Sequence, residues 1–369
     1  MKIARLDIFG YDLHYVHGSY VMSGGRVVTA LPSTVVRITT DEGVAGWGEV
    51  CPLGSAYLPA FAEGARAALR ELAPALLGLD PTNLGLIHGR MDAALRGHGY
   101  AKSPIDVACW DLFGKAAGCS VAMLLGGRLQ ARFPLYIAVP LGPAEQMAAY
   151  VEARRAEGIH RFQLKIGGDP HADRARVARV CEVTGDEDIV IADANGGWTL
   201  QDAIVAARLL APLPRVYLEQ PCPTLEECLH VRRHTSLPMV LDEVITDVPS
   251  FLRAARAGGM EAINLKIGRV GGLTTAKLIR DLAAALGIRV TVEDMWGGDI
   301  VTAAISHLAG STRPEMLFTA SFMNDWVREH IAGHQPRSQA GVGGAADAPG
   351  LGIEVEAKAL GAPLFSVDE

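Results

Sequence analysis

Ile189-Val190-Ile191-Ala192-Asp193 is an apolar run that ends on an acid. Four other stretches repeat the pattern: Phe162-Gln163-Leu164-Lys165, Val216-Tyr217-Leu218-Glu219, Met239-Val240-Leu241-Asp242 and Ala262-Ile263-Asn264-Leu265-Lys266. The charged ends stand 28, 26, 23 and 24 residues apart. A β-strand with its return helix takes roughly 25 to 30 residues. The beat therefore predicts one charged group per strand–helix unit, each at the carboxyl end of its strand. In a closed parallel barrel those ends converge on one mouth.

Outward from this centre, the alternation extends over eight candidate strands, starting near residues 135, 161, 188, 215, 238, 261, 288 and 316. Thr199 with Asp202, and Thr224 with Glu227, have the spacing of capping boxes at helix starts. Gly258-Gly259 and Gly287 follow helical stretches, where a left-handed residue is expected. The fold class predicted is α/β, a modified TIM barrel of (β/α)7β form, over residues 126–344. No Gly-x-Gly-x-x-Gly turn follows the first of these strands, which weighs against dinucleotide binding.

Residues 1–125 read as a separate α+β capping domain. The start alternates like a strand, and residues 33–40 and 44–50 flank an Asp41-Glu42-Gly43 turn as a hairpin. Helices are expected over 62–77 and 103–117, the second with Pro104 at its start. Residues 331–350, rich in Gly, Ala and Pro, are expected to form a long loop. Leu351-Gly352-Ile353-Glu354-Val355 reads as one last strand, and residues 345–369 as a segment that returns to complete the capping domain.

Composition excludes several classes. The net charge is −7 and no Lys/Arg run appears, so no basic face for nucleic acid is expected. The chain starts with a strand pattern rather than a signal sequence, and no apolar run reaches the length of a membrane span. Six cysteines without a Cys-x-x-Cys pair fit buried thiols in a reducing cytoplasm better than disulfides or zinc.

Asp193, Glu219 and Asp242 at one mouth would repel one another unless they shared a cation. Mg2+ takes oxygen ligands and keeps positions open for substrate. Each acid alone reads as a helix cap or a surface ion pair; three in register, each ending an apolar strand, favour the metal. Lys165 and Lys266 flank the trio on strands whose apolar neighbours imply burial. A metal and a second ammonium nearby should lower a lysine pKa towards ~7–8, which suits a general base. Residues two apart share a strand face, so Gln163, Asn195 and Asn264 are expected at the mouth as donors to substrate oxygens. Two bases around a metal-held carboxylate suit abstraction of an α-proton. Reprotonation from the other face is racemisation, and loss of a β-group is elimination.

This constellation resembles the enolase superfamily over nearly the whole chain, from the α+β cap to the tail with Pro349-Gly350-Leu351-Gly352. Lysines after the second and sixth strands are similar to the muconate-lactonizing subgroup. The mandelate racemase subgroup would place a histidine after the seventh strand, where Val292-Glu293-Asp294-Met295-Trp296-Gly297-Gly298-Asp299 stands. The subgroup's Lys-x-Lys is Gln163-Leu164-Lys165 here, one cation fewer, which weighs against a muconate-type lactonization. Phe162 to Asp169, Leu218 to Thr224, Leu241 to Val244, Asn264 to Lys266, Trp296 to Ile300 and the cap loop Cys51 to Tyr57 are most similar to cis-3-hydroxy-L-proline dehydratases and hydroxyproline betaine 2-epimerases.

The resemblance implies Mg2+ on Asp193, Glu219 and Asp242, with Lys165 and Lys266 as the acid–base pair. It also implies a small imino acid or amino acid substrate and a homo-oligomer. Substrate binding is assigned to Tyr57, Gln163, Asn195, Asp294 and Trp296, with Asp294 able to pair with an ammonium and Trp296 able to offer a cation–π face. Tyr20 and Tyr57 lie in cap loops that could close over the mouth. Whether Glu293 or Asp294 faces inward stays open, and Glu243 reads as a support for the ligands or a helix start. The reaction implied is dehydration of cis-3-hydroxy-L-proline to Δ1-pyrroline-2-carboxylate. The alternatives are racemisation or 2-epimerisation of proline betaine or hydroxyproline betaine, muconate cycloisomerase-like or dipeptide epimerase activity, and a carboxylate-binding barrel without turnover.

Overall fold

The structure, a computed structural model, describes residues 1–333 and 337–368. The chain opens with three antiparallel strands, β1 (Ile3–His14), β2 (Ala30–Thr40) and β3 (Ala45–Val50). Helices α1 (Ala62–Leu72), α2 (Leu84–Ala94) and α3 (Gly99–Ala117) follow. Alternation divides β3 into two faces. A Cβ on Gly46 would meet Ala108 O at 2.4 Å, and one on Gly48 would meet Pro104 O at 1.8 Å, so only glycine lets β3 lie this close to α3. Trp47 and Glu49 point the other way, towards the barrel.

Helix α3 starts earlier than expected. His98 adopts a left-handed conformation (φ 53°), the helix begins at Gly99, and Pro104 lies inside it rather than at its start. Full burial of Ala101, Ile105, Ala108 and Leu112 outweighs the one hydrogen bond that Pro104 cannot make.

Eight parallel strands pair in chain order: β4 (Ile137–Val139), β5 (Arg161–Lys165), β6 (Ile189–Asp193), β7 (Val216–Glu219), β8 (Met239–Leu241), β9 (Ala262–Lys266), β10 (Arg289–Glu293) and β11 (Leu317–Ala320). A parallel bridge between Leu135 and Ala320, with Tyr136 N–H donating to Ala320 O at 2.9 Å, closes the ring. Helices α4 (Ala144–Ala156), α5 (Pro170–Val183), α6 (Leu200–Leu210), α7 (Leu225–Arg232), α8 (Val248–Ala257), α9 (Leu273–Ala285) and α10 (Asp299–Gly310) follow β4 to β10 in turn. This is a (β/α)7β barrel. Thr224 and Glu227 form a reciprocal capping box on α7, Thr199 caps α6 through Asp202 N–H, and left-handed Gly258 ends α8.

The barrel interior is packed rather than hollow. Arg289 stands 4.6 Å over the Phe318 ring and donates to Tyr217 Oη at 2.8 Å, while Ile191, Val240 and Phe318 form an apolar cluster beneath the charged mouth.

The tail corrects one expectation. No strand forms at Leu351–Val355: Gly350 and Gly352 are left-handed (φ 72° and 68°), which breaks the extended backbone, while Leu351 N–H donates to Asp111 Oδ1 and Gly350 N–H to Cys119 O. The later segment β12 (Phe365–Asp368) pairs antiparallel with the open edge of β1. Within the stretch expected as a loop, Val342–Gly343 pairs with Phe133–Pro134, and residues 334–336 lie outside the described residues. Among the described residues no helix is long and apolar enough to cross a membrane.

Candidate active site

Strand register sets the height of the charged ends. Lys165 is level with Asp193, Asp193 with Glu219, and Lys266 with Glu293 on neighbouring parallel strands. Residues level on adjacent strands share a face, so these groups converge inside one mouth, and all are buried. Asp242 follows β8 by one residue and joins them. Two left-handed residues turn the chain sharply just beyond the acids, Asn195 (φ 46°) and Gln220 (φ 32°). Gln220 Oε1 accepts Asp242 N–H at 2.9 Å and so fixes the start of the next loop.

Each acid has its own partners. Lys165 Nζ donates to Asp193 Oδ2 in a short hydrogen bond. Lys266 Nζ donates to Asp242 Oδ2 at 2.8 Å. Arg269 Nη2 lies 2.8 Å from Asp242 Oδ1, an ion pair whose alignment falls short of a hydrogen bond. Gln163 Nε2 and Asn264 Nδ2 both donate to Glu219 Oε1, at 2.8 and 2.7 Å. Asn195 donates through its backbone N–H to Asp193 Oδ1 and through Nδ2 to Asp193 Oδ2 and Glu243 Oε1. Tyr57 Oη makes a short hydrogen bond to Glu243 and lies 3.4 Å from both Asp242 Oδ2 and Lys266 Nζ.

The electrostatics follow from burial and from an excess of acids. Burial, with Asp193 and Asp242 adding to it, pushes Glu219 well above the usual carboxylate range. Burial also works against ionised Asp242, but Lys266 and Arg269 overcome it and bring that carboxyl down to about 2. Glu243 is pushed up to about 7 by burial and by Asp242 and Asp193.

The expectation for the lysines counted a metal's charge; among the protein's own groups alone the direction is upward. Burial would lower both, yet Asp193, Tyr20 and Glu219 hold Lys165 well above its ordinary value, and Asp242 and Glu293 do the same for Lys266. The reason is charge balance. Among the protein's own groups, Asp193, Glu219, Asp242, Glu243 and Glu293 outnumber Lys165, Lys266 and Arg269.

Buried acceptors without donors mark where a cation would fit. Glu219 Oε2, Glu243 Oε2, Glu293 Oε1 and Asn195 Oδ1 have no hydrogen-bond partner. Carboxylate and amide oxygens are the donor set of a hard divalent ion. Among the described residues, the one group of three whose ligand atoms all lie within 4.8 Å is elsewhere: His160, Glu187 and Asp188, where Arg155 already pairs with both acids. The mouth trio is wider because Asp193 is drawn to Lys165 and Asp242 to Lys266 and Arg269. Its burial and its donorless Glu219 oxygen make it the better fit for a metal.

The wall facing the trio comes from the loop after β10. Glu293 turns towards the lysines: Tyr136 Oη makes a short hydrogen bond to its Oε2, and Oε1 lies 3.9 Å from Lys266 Nζ. Asp294 turns towards the backbone and accepts Gly268 N–H at 2.8 Å and Met295 N–H at 2.7 Å. Burial pushes its carboxyl up to about 7. The Trp296 ring is buried against Tyr20, Trp326 and Tyr15, at centroid distances of 5.4, 5.6 and 6.0 Å. Tyr57, Gln163, Lys165, Asn195, Lys266, Glu293, Asp294 and Trp296 line one narrow cavity of about 20 Å³. A larger cavity of about 200 Å³ lies alongside and shares Tyr136 and Trp326 with it, but holds none of the trio or the lysines.

Sequence reasoning missed Arg269 and Tyr136. Arg269 sits on a helical turn, Ile267–Val270, three residues past Lys266, where the period-two strand rule no longer applies. A Lys-x-x-Arg spacing read at helical period would have brought it back beside Lys266.

Residues 146–359 match the family described as "Enolase C-terminal domain-like", and residues 14–126 match "Mandelate racemase / muconate lactonizing enzyme, N-terminal domain". The chain belongs to the enolase superfamily, in its mandelate racemase/muconate lactonizing group, and is an enzyme. It is 50% identical over 364 residues, 99% of each chain, to the cis-3-hydroxy-L-proline dehydratase of Roseibium aggregatum. It is 28% identical to the N-succinyl-L-Arg/Lys racemase of Bacillus cereus, covering 98% of this chain and 97% of that one. A solved mandelate racemase/muconate lactonizing enzyme from Roseovarius nubinhibens ISM superposes with a TM-score of 0.96 at 38% identity, covering 100% of this chain and 99% of that one. A further structure from that organism, complexed with magnesium, has a TM-score of 0.96 at 36% identity with full coverage of both chains.

Proposed function

We propose that this enzyme is a Mg2+-dependent hydro-lyase that converts cis-3-hydroxy-L-proline to Δ1-pyrroline-2-carboxylate. The observation that carries the reading is the pair of buried lysines on either flank of one buried acid trio, in a chain half identical to such a dehydratase along its full length. Asp193, Glu219 and Asp242 are the proposed metal ligands. Bound Mg2+ would supply positive charge at the substrate carboxylate, where negative charge builds as the α-proton leaves.

Lys165 and Lys266 divide the proton work. One, as the neutral amine, takes the proton from C2, and the electron pair forms the C2–C3 double bond. The C3–O bond breaks, and the other lysine, as the ammonium, gives its proton to the departing hydroxyl, which leaves as water. The enamine then moves a proton from nitrogen to C3 and becomes the cyclic imine. Tyr57 and Asn195 hold the lysine and the ligands in place through Glu243, Asp242 and Asp193, and Gln163 acts through Glu219. Asp294 and Trp296 shape the side that meets the imino acid ring. The proposed setting is the cytoplasm, and the proposed assembly is a homo-oligomer, measurable by light scattering.

The same lysine pair suits a transfer of one proton across C2, and a racemase stands among the relatives. The alternative is therefore 2-epimerisation of proline betaine or hydroxyproline betaine. Incubation in D2O with Mg2+ separates the two. A dehydratase yields an imine that o-aminobenzaldehyde traps; an epimerase returns an N-methylated substrate deuterated at C2 and releases no water.

A further inference from the structure

A carboxylate of the first sheet reaches into the barrel wall. Glu49, on β3, is 2% exposed. Its Oε1 accepts from Tyr11 Oη at 2.6 Å, Ser33 Oγ at 2.7 Å and Gly298 N–H at 3.1 Å; its Oε2 accepts Val301 N–H at 3.2 Å. Gly298 is the N-cap of α10 and Val301 is its third residue. Glu49 thus stands where a capping side chain of the helix itself would stand, with its charge at the positive end of α10. Gly298 has no side chain to cap with, and a Cβ there would meet Tyr11 Oη at 2.3 Å and Glu49 Oε1 at 3.1 Å. The cap comes from the other end of the sequence.

Four residues, 294 to 297, separate the end of β10 at Glu293 from this N-cap. They carry Asp294 and Trp296. One end of the span is tied down through Glu293 and Tyr136, the other through Gly298 and Glu49. Without Glu49 two buried N–H groups would lose their acceptor, and the first turn of α10 would shift to find another. Loop 294–297 would move with it. The acid trio would not, because it rides on β6, β7 and the end of β8.

We infer that Glu49 is a positioning residue for substrate recognition: by capping α10 across the contact between first sheet and barrel, it sets where loop 294–297 stands over the mouth. The inference rests on the reading of that loop as the wall that meets the substrate.

The test is Glu49→Gln in the full chain, with kcat, KM, Mg2+ affinity and amide hydrogen exchange all measured. Glutamine keeps one acceptor oxygen but loses the charge and sets an NH2 against one of the two N–H groups, so the cap is weakened. KM for the imino acid should rise about tenfold while kcat changes far less. Mg2+ affinity should hold, and exchange should rise across 294–301 but not across 189–193 or 216–219. An unchanged KM, or exchange that rises evenly over the chain, overturns the inference. If Glu49→Gln does not fold, Ser33→Ala removes one donor to Glu49 and should show the same pattern in smaller measure. Exchange and Mg2+ affinity need no substrate. If exchange localises but the wild type leaves the imino acid untouched, the proposed reaction fails while the cap stands.

Discussion

Gln163 Nε2 lies 2.8 Å from Glu219 Oε1, and Asn264 Nδ2 shares that oxygen at 2.7 Å. Two amides therefore hold one oxygen of the central acid, and its Oε2 is left without a donor at the mouth. An amide at Gln163 orients Glu219 without adding a cation beside the proposed metal position. Gln163→Leu should weaken Mg2+ binding about tenfold, and Gln163→Leu with Asn264→Leu should weaken it further, as removal of outer supports does in metal sites. Isothermal titration calorimetry reads this directly, and equal affinity in all three proteins would show the clamp to be idle.

Lys165→Met and Lys266→Met keep most of the volume of the side chain and remove the titrating group. Each should lower kcat by about 10²–10⁴, with circular dichroism unchanged. NMR in D2O then separates the two roles. The variant that lacks the base should lose exchange at C2, while the other should exchange without forming imine. Wild-type turnover in either variant contradicts the assignment.

Bound Mg2+ should stabilise the fold, because only the folded chain brings the trio together. At about 100 times the dissociation constant the gain is about 2.7 kcal/mol. The melting temperature should rise by a few degrees, and EDTA should reverse the rise. Asp193→Asn or Glu219→Gln should abolish it. A rise that survives both substitutions would place the ion elsewhere, with His160, Glu187 and Asp188 the first place to look.

His307 ties α10 to the tail. Its Nδ1 accepts Ala122 N–H at 3.2 Å, and its Nε2 faces Leu351 O at 2.9 Å. Ala122 N–H can only donate, so the ring is neutral with its proton on Nε2. Burial pushes its pKa down to about 4. In the unfolded chain the ring titrates near ~6.5. Between these values the unfolded state binds more protons, so stability rises with pH. The contribution is complete above about pH 6.5 and is lost progressively towards pH 4, about 3 kcal/mol in all. His307→Leu should flatten that part of the stability curve. Urea unfolding at stepped pH checks it; an unchanged slope in the variant would contradict the account.

What was legible in the sequence follows from local rules. Every strand that ends on a charged residue carries its own marker, and Lys165, Asp193, Glu219, Asp242 and Lys266 lie where the beat puts them. Capping residues at α6 and α7 were legible for the same reason, since Thr199 and Thr224 bond within their own turns. What could not be read depends on distant partners. Glu49 looks like an ordinary strand residue until α10, some 250 positions on, is laid beside it. The final strand was misplaced because β1 offers its edge to residues 365–368 while left-handed Gly350 and Gly352 break the extended backbone near 351. The lysines are held up mainly by acids that the beat itself names, Asp193 and Glu219 beside Lys165 and Asp242 beside Lys266, with Glu293 added from the strand beyond. The expected lowering counted a metal's charge against those acids. The roles of Glu293 and Asp294 became distinct only with their partners, Tyr136 and the Gly268 backbone.

The most direct test of the central claim is to mix the enzyme with Mg2+ and cis-3-hydroxy-L-proline and to follow the product with o-aminobenzaldehyde. The account predicts formation of Δ1-pyrroline-2-carboxylate that depends on Mg2+ and on both Lys165 and Lys266. No imine at high enzyme concentration, with Mg2+ shown by calorimetry to be bound, would contradict it.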